Sequence, residues 1–453
     1  MTFSDLVLVS ARMSTRTVAL VALLGALGAP AAQAQPGSPP LPRVNTWKLA
    51  NGLQVAHIEV KHAPVVAVQV WYRGGSAVEP AGKHGLAKLH ELLMFRGSAH
   101  VRPEEHARYI EQVGGLSRAS TLEDAVGYHQ LVPAAQLDLA LRLEADRMRG
   151  LEWRQSELDA VRKTLAAELP QLATDPSKQL VWRTNELIYG THGYAHEPVS
   201  DKMDLDKITV DDLKKFHATY RVPNNALLVV TGDVDQATVK AATERWLGPV
   251  PRGAADPPRL APPAGKPSAQ RKELPSGPVG LVFHGWRIPE ARHADIYALQ
   301  VASVVLGVGR GARIGKELVD TRRMAIDAGA SAVLRTEHGV FMVYASFAEP
   351  ALTKAVEGAL AAQVNELAKA PPSAAEMERA RNLVMADFIP RLETTTGLAN
   401  QTGISWVLTG DPGLYLRDLA ALQAVTAADI QRVVATHLTK AARVTVVMPP
   451  EAP

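Results

Sequence analysis

Cysteine is absent from the 453 residues of this chain. Its absence excludes disulfide bonds, thiolate metal sites, a cysteine nucleophile and a lipid-modified cysteine. Any metal ion would have to be held by His, Asp or Glu side chains. Aromatic residues are also few, at 5% of the chain, and the formal net charge is only +3. Because no dense Lys/Arg run concentrates that charge, nucleic-acid binding is not predicted.

Long hydrophobic runs are absent too, and the N-terminus carries only a short one. Arg12 and Arg16 precede an apolar stretch at residues 17–29, and an Ala-Gln-Ala sequence follows that ends at Ala34. This order is typical of a secretory signal peptide. The stretch is too short to span a bilayer of about 30 Å, and no later segment is both uncharged and long enough. We expect cleavage after Ala34 and a soluble periplasmic or secreted protein without a membrane span, the alternative being a buried N-terminal helix.

A segment rich in Pro, Ala and Gly at residues 250–272 divides the rest of the chain. It has no hydrophobic periodicity, which indicates a linker. Thr209 and Asp212 precede a helical pattern and an apolar strand, and Thr426 and Asp429 do the same 217 residues later. Thr with Asp three residues on is typical of a capping box. We interpret the two parts as an internal duplication, the alternative being chance similarity of two common helix–strand units. The predicted organisation is a signal peptide at 1–34, an N-terminal domain at 35–249, a linker at 250–272 and a C-terminal domain at 273–453.

Secondary-structure patterns are similar in the two parts. Val-rich runs at 53–60 and 64–72 predict strands in the first, and 279–283 with 339–347 predict strands in the second. Between them lie helical patterns such as 103–113, which has acidic residues in its first turn and two glycines beyond its end. Strands with helices grouped between them predict an α+β layer in each half, hence two homologous domains.

Residues 83–95 have the periodicity of a helix with two distinct faces. At 100° per residue, three leucines fall within about 60° of one another and form a core face, namely Leu86, Leu89 and Leu93. The opposite face presents His84, Lys88, Glu91, Leu92 and Phe95. His90 points away from these residues, since it lies about 160° around the helix from Lys88.

This helix resembles the zinc-motif helix of the pitrilysin/insulinase family of peptidases, whose inverted motif is His-x-x-Glu-His. The surrounding frame matches at Gly85, Glu91, Phe95, Gly97 and Ser98. In that family the two histidines bind zinc, the Glu activates the metal-bound water, and a Glu in a later helix completes the site. The resemblance places the ligand positions at Lys88 and Leu92, the base position at Glu91 and the distal ligand position at Glu168.

Both carboxylates of that motif are therefore present and both imidazoles are missing. Neither an ammonium nor an isobutyl group donates a lone pair to zinc at neutral pH. We expect a site without zinc, in which Leu92 fills the volume of the second imidazole and Lys88 supplies the positive charge. The Lys88 ammonium should reach Glu91, three residues on along the same helical face, and, with the family's packing, Glu168 as well. Two alternatives stay open: a non-standard zinc site of His84 and the two glutamates, and a Lys88 side chain that merely extends to solvent.

Further resemblances cover most of residues 42–453. A Gly-Gly-x-x-Arg-Ala-x-Thr segment matches the family's strand beside the substrate, which implies peptide contacts for Arg118 and Thr121. In the second half, residues 312–318 resemble the family segment before an Arg and a Tyr that bind substrate. These positions are Val319 and Ile326, so the pair is missing. His192 and His196 have i, i+4 spacing, but Gly193 and a following proline indicate a loop rather than a metal-binding helix.

The resemblance implies a fold and a role. The fold is the family's pair of α+β domains, which form half of a clamshell. Short two-domain members work as dimers around a peptide chamber, often pairing a zinc-bearing with a zinc-free subunit. We expect this chain to be the zinc-free subunit, exported and without a cofactor, in a heterodimer with a zinc-bearing relative or in a homodimer. The alternatives are an active zinc peptidase with displaced ligands and a structural or peptide-binding scaffold like the family's core proteins in the cytochrome bc complex.

Overall fold

A computed structural model describes residues 42–451, so the predicted signal peptide lies outside the described residues. Within them the chain forms two mixed sheets, with strand orders β1-β2-β6-β3-β5-β4 and β7-β11-β8-β10-β9. The first sheet contains β1 (Asn45–Lys48), β2 (Gln54–Glu59), β3 (Val65–Arg73), β4 (Leu116–Thr121), β5 (Ala125–Pro133) and β6 (Ala226–Gly232). The second contains β7 (Gln270–Glu273), β8 (Gly280–Arg287), β9 (Asp327–Val333), β10 (Val340–Phe347) and β11 (Val444–Met448).

The helices of the described chain follow the same division. The first half has α1 (Leu86–Leu93), α2 (Glu105–Gln112), α3 (Leu137–Arg149), α4 (Gln155–Ala173), α5 (Pro176–Tyr189), α6 (Val210–Tyr220) and α7 (Gln236–Trp246). The second half has α8 (Ile296–Gly307), α9 (Arg313–Gly315), α10 (Thr353–Lys369), α11 (Ala374–Glu393), α12 (Thr395–Thr409), α13 (Tyr415–Ala424) and α14 (Ala427–Val434). Two π-helices, Lys316–Thr321 and Ala435–Thr439, extend α9 and α14.

The predicted strands form with shifted ends, and the predicted α+β class is confirmed. The patterns at 53–60, 64–72 and 339–347 form β2, β3 and β10, whereas the one at 279–283 continues to Arg287 because β10 and β11 pair along the extension. The prediction of a helix at 103–113 places its first residue too early in the chain. Glu104 has φ 66°, a left-handed conformation that cannot continue a helix, so α2 begins at Glu105.

The predicted duplication is visible at the two capping boxes. Thr209 accepts a hydrogen bond from the backbone N–H of Asp212 at the start of α6, and Thr426 does the same from Asp429 at the start of α14. Each helix leads into a strand inside its sheet, β6 in the first half and β11 in the second. Equivalent local structures 217 residues apart therefore end in equivalent places.

Each sheet is covered on one face by a helix from the other half. Along β3, the even-numbered residues from Val66 to Tyr72 face the first core, whereas Ala67 and Trp71 face α12. In return, α5 packs on β8 and β11 and buries Leu180 among their side chains. The two homologous domains are thus joined by a reciprocal exchange of helices.

The segment predicted as a linker crosses between the halves in irregular structure, except that its last three residues, from Gln270, belong to β7. Two of its backbone carbonyl groups are bonded to the first half: Ala255 accepts a hydrogen bond from the Asn224 side chain, and Ala261 accepts one from the His192 side chain. No helix in the described part of the chain is long and apolar enough to cross a membrane.

Candidate functional site

The site helix α1 starts at a glycine that the backbone requires. Gly85 has φ 96°, and a Cβ there would lie 2.5 Å from Met203. The buried Glu79 carboxylate accepts hydrogen bonds from the backbone N–H groups of Gly85 (2.8 Å) and Ala87 (2.7 Å) at the start of the helix. Burial raises the pKa of Glu79 to about 8. As predicted, the three leucines of the core face are buried, which fixes the orientation of the opposite face.

Lys88 and Glu91 form an ion pair on that face. The Lys88 Nζ lies 2.7 Å from Glu91 Oε1, and the second oxygen, Oε2, accepts a hydrogen bond from the Thr121 hydroxyl. The side chain of Glu91 is only 4% exposed and that of Lys88 is 22% exposed. The carboxylate at the base position therefore has both oxygens engaged. The structure contradicts the alternative in which the Lys88 side chain merely extends to solvent.

Leu92 and His90 lie on the sides of α1 that its helical periodicity predicts. Leu92 is half-buried against the first core. His90 lies on the far side, where its Nε2 is 3.1 Å from Nδ1 of His217. Burial holds the pKa of His90 well below its usual range, so the imidazole is neutral. It cannot reach the face that carries Lys88.

Glu168 does not join this pair. Its helix, α4, packs on α1, and Glu168 itself is exposed. Within the described residues, no ion pair or hydrogen bond joins Glu168 to Lys88 or Glu91. Our expectation that Lys88 would reach both carboxylates is therefore wrong for Glu168, because Glu168 lies on the exposed side of α4 while the next residue, Leu169, packs against the first core.

The residues at these positions do not fit zinc. A catalytic zinc needs three protein ligands and an open position, and Lys88 and Leu92 offer no lone pair. Throughout residues 42–451, no three His, Asp or Glu side chains are arranged to hold a metal ion. The alternative that uses His84 fails in the same way, because among the described residues His84 forms no such group with Glu91 and Glu168, and its ring instead stacks on His196 with centroids 4.0 Å apart.

The loop histidines serve different contacts. His192 Nε2 lies 2.8 Å from the carbonyl oxygen of Ala261, and its Nδ1 accepts a hydrogen bond from the backbone of Tyr194. A short 3-10 turn at Gly193–Ala195 separates it from His196, as the predicted loop requires. Burial, followed by the neighbouring His84, lowers the pKa of His196 to about 4.

The strand predicted to contact peptide is the edge strand β4. Its two candidate residues face opposite ways, because side chains alternate along a strand. Thr121 is buried and its hydroxyl is bonded to Glu91, whereas the side chain of Arg118 is exposed and has no hydrogen bond or ion pair with any described residue. Leu116, on the same face as Arg118, is 55% exposed. The free backbone edge and this exposed face are open to an added strand.

The second-half positions Val319 and Ile326 lie in and just after a π-helix. Val319 is half-buried within Lys316–Thr321, and Ile326, immediately before β9, is 60% exposed. Neither side chain carries a charge or a hydrogen-bonding group. No described hydrogen bond joins them to the first-half site.

Sequence reasoning missed a buried polar cluster between the halves. Arg335 of the second half lies 2.7 Å from Glu123 of the first, and its guanidinium stacks on the Tyr194 ring. Asp124 accepts hydrogen bonds from the Tyr194 hydroxyl (2.5 Å) and the backbone of Thr336 (2.9 Å). No spacing in the sequence marks Arg335, because its partners are more than 140 residues away. The cluster fixes the halves relative to each other.

Solved structures share this architecture. A crystal structure of a protease from Helicobacter pylori matches with a TM-score of 0.84 and 27% identity, over 90% of this chain and all of that one. A peptidase M16 inactive domain from Pseudomonas fluorescens matches with a TM-score of 0.83 at 18% identity, over 90% of this chain and 98% of that one. The second likeness concerns the fold alone.

Sequence comparisons point the same way. The chain is 30% identical to the zinc protease PqqE of Helicobacter pylori over 367 residues, which is 79% of this chain and 82% of that protein. It is 23% identical to a probable mitochondrial-processing peptidase subunit beta of Arabidopsis thaliana, over 87% of this chain and 76% of that protein. The family model "Insulinase (Peptidase family M16)" matches residues 54–193, and "Peptidase M16 inactive domain" matches residues 207–384. Since these matches together span more than half of it, the chain belongs to the insulinase family, peptidase family M16.

Proposed function

We propose that this chain is a zinc-free M16 subunit without peptidase activity of its own, which works with a zinc-bearing relative after export. The observation that carries the proposal is the ion pair between Lys88 and Glu91, with 2.7 Å between Nζ and Oε1. A general base must accept a proton from water. In Glu91 the Lys88 ammonium occupies one oxygen, the Thr121 hydroxyl donates to the other, and the side chain is only 4% exposed, so water has little access to the carboxylate.

A role in binding peptide is supported by β4. The strand lies at the edge of the first sheet, so its outward N–H and C=O groups are available to an extended segment. It runs beside α1 and ends at Thr121, next to the ion pair. A peptide added there would lie over the engaged carboxylate and would not be cleaved.

Metal content separates this proposal from an active peptidase with displaced ligands. The purified protein should hold less than a tenth of an equivalent of zinc by elemental analysis, and any peptide hydrolysis should be insensitive to a chelator. The Glu168→Gln variant is the matched test of the distal position. Stoichiometric zinc that this substitution abolishes would overturn the proposal.

Association is tested with a relative that has an intact His-x-x-Glu-His motif. The two proteins, expressed together, should elute as a 1:1 complex by light scattering. Peptidase activity of the complex should persist when Glu91 of this chain becomes Gln, and should vanish when the corresponding Glu of the relative is changed. A monomer in every combination, or activity that depends on Glu91, contradicts the proposed role.

A further inference from the structure

The edge strand β4 has two faces with different surroundings, because side chains alternate along a strand. One face turns toward α1, where the Thr121 hydroxyl meets Glu91. The other, which we call the Arg118 face, carries three residues of β4 that are paired across the ladder with three of β5: Leu116, Arg118 and Ser120 with Leu131, His129 and Gly127. A peptide added to β4 would extend both faces, and the Arg118 face is the one that can select its sequence.

The pairing pattern shows which backbone groups of β4 are free. At the turn between β4 and β5, the Leu122 N–H donates to the Ala125 carbonyl at 2.8 Å, so these two residues form a hydrogen-bonded pair. Hydrogen-bonded pairs alternate along an antiparallel ladder, so every second residue of β4 directs its N–H and C=O groups to the open edge of the sheet. These residues are Ser117, Ala119 and Thr121.

The Arg118 face has no negative charge to balance its arginine. The residue paired with Arg118 is His129, and burial lowers its pKa to about 4, so its imidazole is neutral at pH 7. On β3 the same face continues to Arg73, a second cation, and α12, which covers the inner part of the face, has no charged residue. The two carboxylates of the turn after β4, Glu123 and Asp124, are held in the buried cluster between the halves. The charge of Arg118 is therefore available to a ligand.

An exposed leucine lies next to this free cation. Leu116 is 55% exposed and lies two residues before Arg118, roughly 7 Å away along the strand. Its partner across the ladder, Leu131, is half-buried, so the two leucines form an apolar surface beside the guanidinium. An added strand would place two of its own residues, also separated by one residue, beside Leu116 and Arg118.

We propose that β4 selects extended peptides that carry an acidic side chain and an apolar side chain separated by one residue. This selectivity rests on the peptide-binding role of β4 proposed above. In an added antiparallel strand, the residue opposite Arg118 belongs to a non-hydrogen-bonded pair, in which side chains lie closest. Its carboxylate accepts charge-assisted hydrogen bonds from the guanidinium, and the apolar side chain covers Leu116.

Fluorescence anisotropy of the full protein with labelled peptides tests the charge. The probe is Ser-Thr-Leu-Thr-Glu-Thr-Leu-Thr-Ser with both ends blocked, which reads the same in either direction along β4. It should bind about two- to fivefold more tightly than the same peptide with Gln in place of Glu, as opposite-charge pairs across strands do. Arg118→Gln should abolish this difference. Arg108→Gln, which removes an exposed cation from α2, is the matched control and should preserve it.

Two further changes test the apolar contact and the site itself. Replacing both Leu residues of the probe by Ser should weaken binding about twofold or more, because Leu116 is then left uncovered. Ala119→Pro removes an N–H that points to the open edge and no bond with β5, so it should weaken the Glu and Gln peptides equally.

The outcomes separate the selectivity from the peptide-binding role. If the Glu and Gln peptides bind equally and Ala119→Pro weakens both, β4 binds peptide without the proposed preference, and the selectivity is wrong. Equal binding of the Leu and Ser peptides overturns its apolar part. If neither peptide binds, or if Ala119→Pro leaves binding unchanged, the peptide-binding role of β4 fails and the selectivity fails with it.

Discussion

Replacement of Lys88 by Met tests whether the ion pair has taken over the charge balance of the family's zinc site. Met keeps most of the length and apolar volume of the stem and removes the ammonium. The Glu91 carboxylate, which is 4% exposed, would then lose its partner at 2.7 Å and keep only the Thr121 hydroxyl on its other oxygen. An unpaired buried carboxylate destabilises the folded state.

The magnitude follows from the surroundings of the pair. Removing one partner of a fully buried ion pair costs roughly 3–5 kcal/mol. Two features reduce this cost here. Lys88 is 22% exposed, so solvent screens part of the interaction. Glu91 also interacts electrostatically with Arg221, a fully buried cation that stays in place. We therefore expect Lys88→Met to lower the free energy of unfolding by about 1–3 kcal/mol at pH 7.

Urea unfolding at pH 7 measures this cost. The matched control is Lys83→Met, which removes a more exposed pair, also at 2.7 Å, with Asp212. We expect that control to lose at most about 1 kcal/mol. If Lys88→Met costs no more than the control, the ion pair does not carry the site's charge balance.

Three other predictions concern metal, export and pH. Restoring both imidazoles with Lys88→His and Leu92→His should give only weak binding of one zinc ion by calorimetry, because Glu168 is exposed and is not held beside them as a third ligand, whereas Leu92→His alone should give none; equal affinity for the two variants would contradict the assignment. Protein recovered from the periplasm should begin at Gln35, and full-length protein confined to the cytoplasm would contradict export. Burial, followed by a neighbouring carboxylate, raises the pKa of Glu197 to about 7 from an ordinary 4.5. The protonated form of Glu197 therefore stabilises the fold fully below pH 4.5, and this contribution is lost as the pH rises through 7. The free energy of unfolding should decline between pH 5 and pH 8, and in the Glu197→Gln variant this decline should be smaller by about 2–3 kcal/mol. An unchanged decline would refute this.

Local spacing was enough to predict several parts of the molecule. Both capping boxes depend on residues three apart, and the core face of α1 depends on a period of 3.6 residues. Lys88 and Glu91 are also three apart on one face, so their ion pair could be expected from the sequence. Each of these signals lies within one helix and does not depend on how helices pack.

Features that need tertiary packing could not be predicted in the same way. The hydrogen bond from Thr121 to Glu91 joins residues 30 apart on a strand and a helix. Glu168 was placed by the family's spacing, but its exposure depends on which side of α4 packs against the core, where Leu169 lies. The pairing of Arg335 with Glu123 spans 212 residues and both halves. Such contacts leave no periodic pattern.

The helices that the two halves exchange, α5 and α12, are contacts that the sequence did not predict, and they bear on the interpretation of the chain as two domains. A duplication with a linker suggests two units that each complete their own core. In the structure, however, Gly403 of α12 packs so closely on Trp71 of the first sheet that a methyl group there would overlap the indole ring. The contact of α5 with the second sheet is equally close, because a Cβ on Gly285 would lie 2.6 Å from Thr184. Each sheet therefore has one face that packs against the other half, and the halves form one packed structure although their sequences read as repeats.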